Sequence, residues 1–547
     1  MLTAVVVVAV LIAVHVPLGD YIAHVYTSDR HWRVERVVYR VGGIDPESEQ
    51  RWPTYLMSVL AFSAAGILGL YALLRLQSHL PFAEGHPGVP AALAFNTAVS
   101  FTTNTSWQAY AGESTMGHLA LAVGLGTQAF LSAAVAMAAV VALIRGLTRR
   151  NTDRLGNFWV DVTRSCTRIV LPLALVGGVV LLILGVIQNW HGPLTITTLA
   201  GAHQTILGGP VASWEPIKLL TGDGGGAFNA NSAHPFENPS PISNAVEIIL
   251  MLLIPSAFPR AYGRMVKDRR QGWALAAVSL ALLAMAMVAG IASDAGHHGT
   301  VPTSVGASVE GTETRNGVDS SALFGVAATS SADGAADASY DSFSALAGGV
   351  LLGNMMLAEV SPGGAGSGLY GLLVAAILAV FVGGLMVGRT PEFLGKRIRR
   401  REMTFVALYS LAFPATLLIA AAVAVALPAG RATLGNSGAH GLSEALYAVT
   451  STTASNGSAF AGLNANTDFY NILLGIVMLI GRYLPLVFIL ALAGAFARQR
   501  RTVAATAGTL RTDTPMFVGL VLGVVVLVTL LSFLPALALG PLAEALH

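Results

Sequence analysis

The sequence predicts an all-α polytopic membrane protein with about ten spanning helices. Of its 547 residues, 54% are hydrophobic and 11% are charged, against about a quarter charged in soluble domains. Hydrocarbon-spanning helices need about 20 mostly apolar residues, because their backbone must be hydrogen-bonded within the segment. Ten stretches fit, at 2–18, 55–76, 119–143, 169–186, 245–257, 273–291, 345–386, 403–427, 469–496 and 517–539.

Two of these stretches have unusual lengths. The fifth is short for a span, and the seventh is long, with the sequence Ser-Pro-Gly-Gly-Ala-Gly-Ser-Gly at 361–368 in its middle. Proline and clustered glycines interrupt helices. We therefore expect the seventh span to be a broken helix.

The connecting loops alternate in basic content. Arginine and lysine cluster at 30–40, 145–154, 260–270, 396–401 and 498–501, whereas the intervening loops are poor in basic residues. Because basic loops stay in the cytoplasm, both termini are expected outside. The first stretch lacks a basic flank and a cleavage pattern, so we expect it to be retained as a span. The net charge of +2 gives no reason to expect a nucleic-acid partner.

Each outer loop from the second to the ninth span holds a short apolar stretch followed by small polar residues. The apolar stretches lie at 91–101, 211–220, 322–328 and 442–449, and the polar segments at 102–108, 221–226, 329–334 and 452–457. Such pairs are typical of re-entrant loops lining a watery cavity. We expect four helix–pore loop–helix repeats at 51–150, 151–270, 271–400 and 401–505, with an extra spanning helix in 1–50 and another in 506–547.

The four polar segments suit a dehydrated monovalent cation. Rings of backbone carbonyls can replace its hydration shell, and glycines at Gly224, Gly334 and Gly457 permit the backbone conformations this needs. Asp223 and Asp333 suggest an entrance that attracts cations, unless they are solvated loop acids outside the pore. The expected filter consists of Thr103, Asn104, Thr105, Gln108, Gly222, Asp223, Gly224, Ala332, Asp333, Gly334, Ser455, Asn456 and Gly457.

Four motifs carry a resemblance to a known family. They are Thr-Asn-Thr at 103–105 with Trp-Gln at 107–108, the string at 224–239 (GGGAFNANSAHPFENP), Gly-Ser-Gly-Leu-Tyr-Gly at 366–371 and Asn-Gly-Ser-Ala-Phe-Ala-Gly-Leu at 456–463. Together they resemble the potassium-binding A subunits of the Kdp potassium-transporting ATPases, from the first span to the C-terminal segment. The sequence departs from the usual family pattern at Ser106, Gly222, Asp223 and Asp333, whereas the backbone glycines are present.

This resemblance implies a fold related to potassium channels and the Trk and Ktr transporters, in a bacterial plasma membrane. It implies that extracellular potassium enters the four-loop filter and passes through an intramembrane tunnel to a partner P-type ATPase subunit. Further implied partners are a small single-span subunit, a periplasm-facing accessory subunit and membrane lipid. Potassium is the only ion expected, and no organic cofactor is.

Three other features of the sequence bear on this interpretation. The chain has neither a phosphate-binding P-loop nor the Asp-Lys-Thr-Gly-Thr motif of P-type pumps, so it is not expected to be an enzyme by itself. Glu359 and Arg482 lie at membrane depth and are expected to pair. The basic segment with Arg389 and Lys396 is either a cytoplasmic anchor or a docking surface for the ATPase subunit.

Two other function classes remain open from the sequence. A self-contained potassium channel or a cation-coupled symporter of the Trk and Ktr class would have the same pore architecture. An enzyme or sensor with a buried ligand site is weakly supported, because no nucleophile constellation, paired carboxylates or metal-ligand motif is evident.

Overall fold

The computed structural model describes residues 2–295, 309–386, 388, 390–500 and 510–546. Within these residues ten helices are long and apolar enough to cross a membrane, as the sequence predicts. We number them as spans one to ten: Leu2–Thr27, Trp52–His79, Ala120–Thr148, Phe158–Ile183, Pro241–Met265, Arg269–Asp294, Ser367–Met386, Arg400–Ala426, Asp468–Ala497 and Pro515–Leu546.

The fifth span is longer than the sequence suggests. Its helix runs over 25 residues and includes Pro255 and Pro259. Polar residues near its start, such as Asn244 and Glu247, are buried within the protein. The predicted stretch 245–257 lies between the polar Asn244 and the charged Arg260, because hydropathy does not distinguish burial in protein from exposure to water. Both residues are buried within the protein, and this is why the predicted length is wrong.

The seventh stretch is broken, as expected. Helix Ala345–Met356 ends before the Pro-Gly segment, and the seventh span begins at Ser367. Inside the break, the Gly363 amide donates a hydrogen bond to the Ser330 carbonyl oxygen at 2.7 Å. The irregular backbone is therefore satisfied by protein rather than exposed to lipid.

Shorter elements connect the spans. The remaining helices are Arg33–Gly42, Ala91–Thr102, Gly112–Thr115, Val211–Thr221, Val318–Ser330, Pro428–Arg431 and Gly438–Ala454, with single 3-10 turns at Asn231–Ala233 and Tyr340–Ser342. Three antiparallel pairs join Gln50–Arg51 to Arg154–Gly156, Leu194–Thr197 to His203–Ile206, and Glu392–Phe393 to Lys396–Arg397.

The third span lies at the centre of the bundle and the ninth span packs along it. Gly146 permits this close contact, since a Cβ there would lie 2.5 Å from the Ala493 carbonyl oxygen. Two ion pairs lie inside the bundle, where isolated charge is costly. Arg145 binds Asp161 at 2.6 Å, and Arg168 binds the buried Glu35.

Candidate functional site

Four short helices end inside the bundle in the same kind of turn. These re-entrant helices are Ala91–Thr102, Val211–Thr221, Val318–Ser330 and Gly438–Ala454, and they follow spans two, four, six and eight. After each helix one residue takes a left-handed conformation with φ between 60° and 62°: Asn104, Gly222, Ala332 and Ser455. We call residues 104–106, 222–224, 332–334 and 455–457 the four turns.

The hydrogen bonding of the four turns is also the same. The second residue of each turn donates its backbone N–H to the carbonyl five residues earlier, at 2.9–3.0 Å, in the pairs Thr105–Ser100, Asp223–Lys218, Asp333–Ala328 and Asn456–Ser451. This is the capping bond that ends a helix in a left-handed residue. Four separate segments of the chain therefore present their backbones in one geometry.

The four turns contact one another in sequence order. Between the first and second turns, Asn104 Nδ2 donates to the Gly222 carbonyl oxygen at 2.7 Å. Between the second and third, a Cβ on Gly224 would collide with the backbone of Gly334.

The remaining two contacts complete the set. A Cβ on Gly334 would lie 2.8 Å from the Asn456 carbonyl oxygen in the fourth turn, and a Cβ on Gly457 would collide with the Thr105 carbonyl oxygen in the first. The turns thus form a closed ring.

Three of the ring glycines, Gly224, Gly334 and Gly457, were predicted to need special backbone conformations, and they meet two different needs. Gly224 and Gly457 have φ values of 79° and 99°, where an L side chain is strained. Gly334 lies outside the left-handed region, so the expectation of a special backbone conformation is wrong there. Its requirement is space, because the fourth turn lies against its Cα.

The ring is rich in carbonyl oxygens that take no hydrogen bond. Within the described parts of the chain, no donor reaches the backbone oxygens of Thr105, Asp223, Asp333 and Asn456. All four residues are buried. The C-terminal, negative ends of the four re-entrant helices also meet at the ring. This arrangement favours a cation.

Two predicted filter residues support the ring from its side. Gln108 exchanges two hydrogen bonds with Gly226, donating to its carbonyl at 3.1 Å and accepting from its amide at 2.8 Å. The Thr103 hydroxyl lies 2.8 Å from the Thr105 hydroxyl. Their side chains therefore link or brace the turns.

Asp223 and Asp333 lie in the ring and are fully buried. The alternative that they are solvated loop acids is therefore wrong. Asp333 accepts a hydrogen bond from the Ala335 amide at 2.8 Å, whereas none of the described residues places a donor within hydrogen-bonding distance of the Asp223 carboxylate.

A buried charge cluster behind the second turn was not predicted. Lys218 is fully buried and its ammonium donates to the Gly225 carbonyl oxygen at 2.8 Å. The ammonium also forms ion pairs with Glu215 Oε1 at 2.8 Å and with Glu237 Oε2 at 3.2 Å. The signal available in the sequence was the Glu215–Lys218 spacing on a short apolar helix, which favours an i,i+3 ion pair.

A cavity lies next to the fourth turn, beside the break in the seventh span. Its lining includes Ser455, Glu359 and Arg482. The predicted ion pair is not formed, because no Glu359 oxygen lies within 4.0 Å of an Arg482 nitrogen. Glu359 lies in the break, where it accepts from Ser367 at 3.4 Å, and Arg482 donates to the Ser132 carbonyl at 3.1 Å.

Comparison with known proteins identifies the family. Residues 5–546 match the family model described as "Potassium-transporting ATPase A subunit". The chain belongs to this family. Curated relatives named "Potassium-transporting ATPase potassium-binding subunit" are 56% identical in Kineococcus radiotolerans (98% of this chain, 96% of the relative) and 54% in Mycolicibacterium smegmatis (99% and 98%).

One solved structure has a fold similar to that of this chain. The potassium transporter TrkH from Vibrio parahaemolyticus superimposes with a TM-score of 0.54, covering 81% of this chain and 85% of TrkH. The sequences are 15% identical, so the likeness concerns the fold alone. It agrees with the expectation of a fold similar to that of the Trk transporters.

The family motif at 224–239 packs against the outer side of the second turn. Glu237 accepts a hydrogen bond from the Phe228 amide at 2.8 Å, and His234 stacks on the Phe228 ring at 4.0 Å. His234 Nδ1 accepts from the Phe236 amide at 3.1 Å. Burial lowers the pKa of His234 below its ordinary value, which favours the neutral ring that this hydrogen bond requires.

Of the two predicted docking residues, Lys396 lies in the described part of the chain and Arg389 does not. Lys396 is buried, and its ammonium donates to the carbonyl oxygens of Arg149, Phe496 and Gln499 at 2.6–2.9 Å. It therefore caps the ends of the third and ninth spans and is not presented on the surface. Arg389 lies outside the described residues.

Proposed function

We propose that this chain is the potassium-binding and translocating subunit of an ATP-driven potassium uptake system. The observation that carries the proposal is the closed ring of four equivalent turns with unpaired carbonyl oxygens. The relatives' name, which describes a potassium-binding subunit of an ATPase, agrees with it.

The chemistry of the ring fits potassium. A large monovalent cation loses its water when several neutral oxygens surround it, and backbone carbonyls supply such oxygens. The turns at 104–106, 222–224, 332–334 and 455–457 would hold the ion through these oxygens. Asp223 and Asp333 place carboxyl oxygens in the ring, and in their ionised form they would draw cations towards it.

The cavity beside the fourth turn is the proposed exit from the ring. It is adjacent to Ser455 and to the break in the seventh span, and Glu359 and Arg482 line it with opposite charges that are not paired with each other. From there the ion would move sideways within the membrane to a partner P-type ATPase subunit. The sequence carries no nucleotide-binding or phosphorylation motif, so hydrolysis belongs to that partner.

The proposed setting is a bacterial plasma membrane, with the basic loops inside and both termini outside. The segments 51–150, 151–270, 271–400 and 401–505 are the four repeats that place one turn each around one axis. A small single-span subunit, a periplasm-facing accessory subunit and lipid would cover apolar faces of spans such as the second and tenth, which are among the most exposed.

Reconstitution tests the proposal directly. The complete complex in liposomes is expected to accumulate potassium only with ATP, and the purified chain alone is expected to pass no rapid potassium current. Fast passive flux through the chain alone would instead establish a channel or symporter. If the rate of ATP hydrolysis by the complex did not depend on the potassium concentration, the assignment of potassium as the transported ion would be contradicted.

A further inference from the structure

A second cluster of ionisable side chains lies far along the chain from the four turns, around His440. His440 and Glu444 are one helical turn apart near the start of the fourth re-entrant helix. Asp341 belongs to the 3-10 turn Tyr340–Ser342, and Glu544 lies near the C-terminal end of the tenth span. Four acidic or imidazole groups from three separate elements thus meet at one place.

The arrangement has the features of a metal site. One potential ligand atom from each of Asp341, His440 and Glu444 lies within 4.8 Å of the other two. His440 Nε2 is 3.1 Å from Asp341 Oδ1, and its Nδ1 is 2.7 Å from Glu544 Oε1. A metal-bound histidine commonly donates its other ring N–H to a carboxylate, which fixes the tautomer. Glu544 occupies this orienting position.

We propose that Asp341, His440 and Glu444 bind a divalent transition cation of the Zn²⁺ class. One imidazole nitrogen and two carboxylate oxygens, with water in a fourth position, form a donor set that this cation accepts at roughly 2.0–2.2 Å. The ligand atoms, which now lie within 4.8 Å of one another, would move closer together when the ion binds. Potassium would not compete, because imidazole is a poor ligand for it.

The local packing supports convergence of the two carboxylates. Gly462 lies between them, and a Cβ there would collide with Glu444 Oε1 and lie 2.8 Å from Asp341 Oδ2. Glu444 is fully buried and held by the Asn436 side chain at 2.6 Å and the Gly435 amide at 2.9 Å. Its orientation is therefore set before any ion binds.

Access and charge also fit. The side chains of His440, Asp341 and Glu544 are 22%, 17% and 26% exposed, so an ion can reach the site from water. Three carboxylates face one imidazole, which leaves the cluster negative. Binding would displace the proton on His440 Nε2 into solvent and form the metal–nitrogen bond in its place. The ion would link the connection between the sixth and seventh spans, through Asp341, to the fourth re-entrant helix.

Metal titration of the purified complex tests this site. After removal of metals with a chelator, Zn²⁺ is added in potassium-free buffer and binding is measured by calorimetry, with bound Co²⁺ as a spectroscopic probe. Wild type is expected to bind one equivalent that His440→Gln does not. Glu544→Gln is expected to retain the site with about 10–100-fold weaker affinity, because it removes only the orienting carboxylate. His203→Gln, which alters an exposed histidine elsewhere, should match wild type.

The outcomes are distinct. Equal Zn²⁺ binding by wild type and His440→Gln would overturn the proposal and indicate adventitious binding only. An absence of binding to wild type would also overturn it and would leave an imidazolium held between Asp341 and Glu544 as the role of the cluster. Because binding is measured without potassium or ATP, the result does not depend on the proposed transport function.

Discussion

Lys218 donates a hydrogen bond to the carbonyl oxygen of Gly225, one residue beyond the second turn, at 2.8 Å. The equivalent residue on the first re-entrant helix, Ser100, donates to the carbonyl of Trp107 at 3.0 Å. Trp107 and Gly225 occupy the same position after their turns. An ammonium therefore makes behind the second turn the bond that a neutral hydroxyl makes behind the first.

This equivalence predicts that both side chains position their turns. Ser100→Ala removes one buried hydrogen bond, at a cost of about 0.5–1.5 kcal/mol, and is expected to raise several-fold the potassium concentration giving half-maximal ATPase activity. Ser114→Ala, at an exposed serine of the same connection, is the control. Identical potassium dependence of the two variants would contradict the positioning role.

Lys218→Met is expected to be more severe. It also leaves Glu215 and Glu237 buried without their cation, and breaking a buried ion pair costs about 3–5 kcal/mol. Less folded complex should be recovered, as judged by size-exclusion chromatography. Adding Glu237→Gln to Lys218→Met should restore part of the yield, because one unpaired buried charge is removed. If the double variant gave no more folded complex than Lys218→Met, pairing of Lys218 with Glu237 would not be what stabilises the cluster.

Gly457→Ala is expected to abolish discrimination between potassium and rubidium or ammonium. The new Cβ would meet the Thr105 carbonyl oxygen at a φ of 99°, so the fourth and first turns would have to separate. Gly334→Ala should have a smaller effect, because it is crowded but not in the left-handed region. The measurement is ATPase stimulation by each cation.

Gly353→Ala is the control for the ring glycines. It lies in helix Ala345–Met356, where a Cβ meets nothing within 4 Å, and alanine favours helices over glycine by up to about 1 kcal/mol. Normal selectivity is expected. If Gly457→Ala retained selectivity as Gly353→Ala does, the ring would not be the filter.

The positions of the turns could be predicted from the sequence because they are local. Helix termination depends on the last residues of the helix and on a left-handed residue after it. Gly, Asn or Ser takes that position in three of the turns and Ala332 in the third turn, where the following Asp-Gly pair is the signal in the sequence. The broken seventh span was predictable for the same reason. Its Pro-Gly segment cannot continue a helix.

The failed expectations depend on contacts between distant segments. Glu359 and Arg482 share a cavity, but Glu359 lies in the break, whose path sequence spacing does not determine. Lys396 lies in a basic run typical of a surface, yet three carbonyls from two span ends enclose its ammonium. The pattern of charges predicts on which side of the membrane each loop lies, but it does not determine which group each charged side chain contacts.

Asn104→Asp tests the contact between the first and second turns. Asn104 donates to the Gly222 carbonyl at 2.7 Å and accepts from the Ser132 hydroxyl at 2.9 Å. An aspartate oxygen would face the carbonyl without a donor, so we expect a stability loss of about 1–3 kcal/mol and weaker selectivity. Asn151→Asp is the matched control, because Asn151 also has a left-handed backbone conformation, with a φ of 49°, but is exposed. Equal thermal stability of the two variants would disprove the contact's importance.

Acidification is expected to destabilise the segment at 224–239 through His234. Burial lowers its pKa, so the unfolded chain binds the proton more readily than the folded chain. The stability that comes from the neutral ring is therefore fully present above the unfolded value of about 6.5 and is lost as the pH falls below it. Thermal midpoints of the complex should fall more between neutral pH and mildly acidic pH in wild type than in His234→Gln. His203→Gln, at an exposed histidine, should keep the wild-type pH dependence. Because the comparison is between variants, carboxylates that titrate in both cancel, and equal slopes for wild type and His234→Gln would exclude His234 as the group responsible.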